Sequence, residues 1–92
     1  MNNGLRGRYS PMETTVFKAL REQGAATSED LIRKVYPRKA IEPFNAQIIV
    51  NRAATTLGRK LERNGEVFRL QRRRLPRQHA IENRLIKKES RG

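Results

Sequence analysis

Asn51, Arg52, Thr55 and Arg59 share one side of a helix when the segment Phe44–Arg63, FNAQIIVNRAATTLGRKLER, is read at the helical period. Arginine and asparagine present paired donors and acceptors that match base edges in a DNA major groove. The chemistry in prospect is therefore the reading of duplex DNA. Ile48 lies on the same side and suits a thymine methyl, and Gln47 and Arg63 extend the face at its two ends. Glu62 is the one acid there. A plain solvated face is the alternative for any such helix, and only the surrounding chain can decide against it.

Arg72, Arg73, Arg74 and Arg77 form the densest basic cluster. Such a cluster binds phosphate by releasing counterions, which adds affinity without sequence information. Its bland counterpart is a solubilising tail. Arg6 and Arg8 belong to a polar segment, residues 1–9, expected to be a flexible basic arm of the kind that enters minor grooves. Arg38 and Lys39 stand in a proline-bounded loop and suit either a phosphate or a partner.

Nothing in the chain supports catalysis. There is no cysteine, and the single histidine, His79, has no acid nearer than Glu82, so neither a metal site nor a cofactor is expected. Ser10 and Ser28 read as helix caps, and Glu13, Glu29 and Asp30 sit at helix starts, where the dipole accounts for them.

Positioning the basic face falls to a small set of elements. Ser10-Pro11-Met12-Glu13 is a capping box with proline at the first helical position, and Gly24 stops that helix. Met12, Val16, Ala19 and Leu20 point inward, with Phe17 at the flank. Thr27-Ser28-Glu29-Asp30 opens a second, short helix carrying Leu31, Ile32, Val35 and Tyr36, which Pro37 ends. The loop 37–43 leads to the long helix, whose apolar stripe is Ala46, Val50, Ala53, Leu57 and Leu61, with Ile49 and Ala54 at its edges. Asn64-Gly65 forms a turn, and Glu66–Gln71 reads as a strand. Residues 71–78 suit a hairpin tip or the start of a tail, and 80–88 a short helix or a returning strand. Tyr36, Phe17, Phe44 and Phe68 are expected in the core.

Ninety-two residues with a net charge of +12 suit one small domain with a polyanionic partner. The charge is uneven: residues 11–36 are neutral, 38–63 carry +4 and 69–92 carry +7. A neutral scaffold followed by a basic half fits a domain that meets nucleic acid on one side. No apolar run reaches the roughly 18 residues of a membrane span, and the first residues lack the apolar core of a signal peptide. The expected location is cytoplasmic and nucleoid-associated, with no membrane partner.

Ser10–Leu20, Ala26–Tyr36 and Val50–Glu62, the last ending Leu57-Gly58-Arg59-Lys60-Leu61-Glu62, together resemble the winged-helix effector domains of the OmpR/PhoB type over about residues 10–70. The resemblance implies an α+β, mostly helical fold: a winged helix-turn-helix of three helices and a β-hairpin wing. It implies double-stranded DNA as partner, with Asn51, Arg52, Thr55 and Arg59 facing the groove. It also implies dimers on repeated half-sites and contact with RNA polymerase through the 37–43 loop. Gly58 stands where the family usually has arginine, and Gln71–Gln78 replaces its Gly-x-Gly-Tyr turn. No receiver domain accompanies the segment, so phosphorylation control is not expected.

The expected organisation is an arm at 1–9, a DNA-binding domain at 10–74 and a basic tail or short helix at 75–92. The expected function is that of a small bacterial or phage transcriptional regulator. An RNA-binding or ribosome-associated role and a winged-helix adaptor role are the alternatives. A core this small leaves room for a homodimer through residues 80–88.

Overall fold

A computed structural model describes residues 7–78 and 80–88. Three helices and a three-stranded antiparallel sheet make an α+β, mostly helical chain in the order α1 (Pro11–Gln23), β1 (Ala25–Thr27), α2 (Ser28–Val35), α3 (Ala46–Arg63), β2 (Phe68–Leu75), β3 (Ala80–Lys87). Short 3-10 turns occupy Lys39–Ile41 and Pro76–Gln78.

Local signals set the helix starts. Ser10 Oγ accepts from the Glu13 amide, and the Glu13 carboxylate accepts in return from the Ser10 amide, so two otherwise orphaned donors are satisfied. Thr27 and Asp30 repeat the arrangement at α2. Gly24, at φ 79°, closes α1 through a 2.7 Å bond to the Leu20 carbonyl and turns the chain into β1.

The three helices bury Val16, Phe17, Leu20, Leu31, Ile32, Ala46, Val50, Leu57 and Leu61 among themselves. Phe68, Leu70 and Leu85 add the sheet to that core, and Phe68 meets Phe17 edge to face at 6.1 Å. On α3 the stripe differs by one residue from the expectation: Ala54 is fully buried and Ala53 only half-buried. α3 also begins two residues later than expected. The Ala46 amide bonds to the Pro43 carbonyl in a turn, which leaves Phe44 outside the helix and fully exposed instead of in the core.

Strand β3 lies in the middle of the sheet, in the order β1-β3-β2. Of the two readings of residues 80–88, the strand is therefore the observed one, and the domain extends well past residue 74. Glu82, Asn83 and Arg84 pair with β1 on one side and β2 on the other, so that part of the strand offers no free edge to a second copy. Residues 71–75 continue β2, which makes the 71–78 stretch a hairpin arm and not a tail. The end of the 1–9 arm is docked. The Tyr9 hydroxyl accepts a 3.0 Å bond from Asn64, and a Cβ on Gly7 would fall 2.7 Å from the same amide nitrogen. Arg6 and His79 lie outside the described residues. Among the described residues, no helix is long and apolar enough to cross a membrane.

Candidate nucleic-acid interface

Helix α3 has three faces. One packs in the core. A second carries Gly58, Asn51 and Thr55 and faces β2. The third carries Ile48, Arg52, Thr56, Arg59 and Arg63 towards solvent, with Gln47 beside it.

The middle face exists because β2 lies close. Its inward positions alternate as Phe68, Leu70 and Arg72. Leu70 passes over Gly58, where an added Cβ would lie 3.5 Å away.

Two residues on, Arg72 turns its guanidinium inward. Its Nε donates to Asn83 Oδ1 at 2.9 Å, one Nη to Asn51 Oδ1 at 3.3 Å and the other to Thr55 Oγ1. Ser28 Oγ also donates to Asn51 Oδ1, at 2.7 Å, and Asn83 Nδ2 donates to the Ala26 carbonyl. Thr55 in turn donates to the Asn51 carbonyl at 3.0 Å. One polar network thus joins β1, α2, α3, β2 and β3. Asn83 is completely buried, and burial lowers the Arg72 pKa from the usual arginine value.

This network alters three of the residues singled out from sequence. Asn51 has its side-chain oxygen occupied twice, so the oxygen–nitrogen pair needed to read adenine is no longer free. Thr55 uses its hydroxyl as both donor and acceptor. Arg72 is not on the hairpin's outer surface, because it sits at an inward position of an alternating strand. All three are held as struts between the hairpin and α3.

Arg52, Arg59 and Arg63 keep the expected exposed placement, as do Gln47 and Ile48. On the hairpin, Arg73, Arg74 and Arg77 are exposed. Arg73 is tied at 3.2 Å to Glu82, which also lies 3.6 Å from Arg84. Lys60 is withdrawn from the basic set: its Nζ is 2.8 Å from Glu13. Burial would raise the Glu13 carboxyl, but this lysine and the Ser10 amide outweigh it and hold the group below its ordinary value. Arg33 takes up Glu42 at 3.1 Å, and Lys88 approaches Glu62 at 3.5 Å. Among the described residues, Arg52, Arg59, Arg63, Arg74 and Arg77 face solvent with no acidic partner.

The hairpin's direction follows from its contacts. Leu70 lies over Gly58 and Arg72 over Thr55 and Asn51, so β2 runs antiparallel to α3. Its tip therefore comes beside the N-terminal end of that helix, where Ala80 lines one depression with Phe44, Gln47 and Lys39. No family model, curated protein or solved structure matches the chain.

Two residues are not singled out by the sequence. Thr56 belongs to the exposed face next to Arg52, a placement that its helical spacing from Arg52 and Arg59 carries. Asn83 is the buried centre of the sheet end; nothing local marks it, because its partners lie far away in the chain.

Proposed function

We propose that this domain is a winged helix-turn-helix that binds duplex DNA sequence-specifically, as a small transcriptional regulator. In this reading α2 and α3 form the helix-turn-helix, α3 lies in the major groove, and the β2–β3 hairpin is a wing along the adjacent backbone. Gln47, Ile48, Arg52, Thr56 and Arg59 face base edges. Arg63, Arg73, Arg74 and Arg77 neutralise phosphates. Asn51, Thr55 and Arg72 fix the angle between wing and helix.

The observation that carries this reading is the segregation of charge. Arg52, Arg59 and Arg63 on the outer face of α3 and Arg74 and Arg77 on the hairpin are exposed with no acidic partner, whereas Arg33, Lys60 and Arg73 each pair with a carboxylate. An α-helix with its side chains is about 10–12 Å across, which fits a major groove about 12 Å wide.

The test is selection from a random duplex pool by the full chain at physiological salt, followed by sequencing. A short enriched motif is expected. Retention without enrichment would replace sequence reading by backbone binding, and no retention would refute DNA as the ligand.

A further inference from the structure

Among the described residues, four large apolar side chains are strongly exposed, and three of them, Ile41, Phe44 and Ile48, lie between the 3-10 turn at Lys39–Ile41 and the first turn of α3. Phe44 is fully exposed, and Ile48 is 55% exposed on the outer face of the helix. An aromatic side chain left entirely in water forgoes the stabilisation that burial would give it. Here the turn at Pro43–Ala46 holds it out, one turn of chain before Ile48.

The surroundings of Ile48 are basic, and those of Phe44 carry both signs of charge. Ile48 shares a shallow depression with Arg52, Thr56 and Arg59, and Phe44 shares another with Lys39, Arg33, Glu29 and Glu42. Of the two acids, Glu42 is taken up by Arg33, which leaves Glu29 on the α2 side of that depression. An occupant must therefore offer apolar groups within an anionic frame. A major groove does so wherever thymine methyls line it between two phosphate backbones. An amphipathic membrane-binding helix would instead need a continuous apolar face, and the apolar face of α3 is spent on the core.

We propose that Phe44 and Ile48 form a subsite for thymine 5-methyl groups, so that the preferred duplex carries thymine where the N-terminal end of α3 lies. This rests on the duplex-DNA reading above. Arg52 and Arg59, further along the same face, then read the neighbouring base pairs.

The test compares the duplex pool selected by the full chain with the same pool resynthesised with deoxyuridine for every thymidine. The two differ only in the methyl groups. Removing one methyl group from the subsite should weaken binding about fourfold. Phe44→Ala and Ile48→Ala, both at exposed positions, should weaken binding to the thymine pool and narrow the gap between pools. Equal affinity for both pools, or a gap that survives in both variants, would overturn the subsite while leaving DNA binding intact. If neither pool is bound, the DNA reading itself fails and the subsite falls with it.

Discussion

Replacing Arg72 by methionine separates a strut from a phosphate contact. Methionine keeps much of the aliphatic stem but removes all three donations, to Asn83, Asn51 and Thr55. Asn51 keeps its bond from Ser28, and Thr55 keeps its own bond to the Asn51 carbonyl. Asn83 Oδ1 loses the Arg72 donor in a fully buried position. An orphaned buried acceptor costs about 1–3 kcal/mol. Part of that is offset, because a guanidinium whose pKa burial lowers no longer has to be desolvated. A net loss of about 1–2 kcal/mol is expected, which for a domain of this size lowers Tm by roughly 4–16 °C. The double variant Arg72→Met/Asn83→Leu should lose less than the sum of the singles, since it removes the orphaned Asn83 oxygen together with its donor, and only the Ala26 carbonyl gives up a bond from Asn83. Thermal melts by circular dichroism read both effects. In DNA binding, Arg72→Met should leave the slope of log affinity against log salt unchanged. Arg74→Ala should reduce it by about 0.9 with Tm nearly unaltered. An unchanged Tm together with a shallower salt slope for Arg72→Met would refute the strut and return this residue to the phosphate-contacting set.

Leu57 is fully buried at the centre of α3, so Leu57→Ala should cost about 2–5 kcal/mol in chemical denaturation; an unchanged midpoint would mean that the stripe is rotated. Gly58→Ala adds only a Cβ at ordinary contact distance from Leu70 and removes a helical glycine, so a gain of about 0.5–1 kcal/mol is expected, and a loss would show the packing to be tighter than described. The Glu13 carboxyl is held below its ordinary value, so the stability it supplies is complete above the unfolded value of about 4.3 and disappears as pH falls through the folded value. Melts from neutral pH down to about pH 3 should therefore show an acid limb that flattens in Glu13→Gln; identical limbs would rule out a stabilising ion pair with Lys60.

The legible parts of the fold are those whose signals are local. Ser10 with Glu13 and Thr27 with Asp30 announce their helices because each capping box closes within one turn. The three residues of β1 are too few to make a pattern, and they become a strand only by pairing with residues 82–84. The same distance obscures β3, whose mixed sequence suits a helix as well as a strand until β1 and β2 flank it. Phe44 reads as a core residue because aromatic side chains are usually well buried, and the local turn decides otherwise.

For the site, helical period sorts Arg52 and Arg59 correctly to the outside. It cannot separate the solvent face from the face towards β2, since both are polar and the strand lies beyond the helix in sequence. The clue to Arg72 is the alternation of Phe68, Leu70 and Arg72, which puts a charge at an inward position. An arginine run read only as charge conceals that alternation.

Base reading by the outer face of α3 is the central claim, and one ratio tests it directly. That ratio is the affinity for the selected duplex over the affinity for a scrambled duplex, in the parent protein and in Arg52→Ala. Arg52→Ala is predicted to narrow it by about 1–3 kcal/mol, with an unchanged Tm. An equal loss on both duplexes would contradict the claim, because Arg52 would then be gripping phosphate and the bases would be read elsewhere.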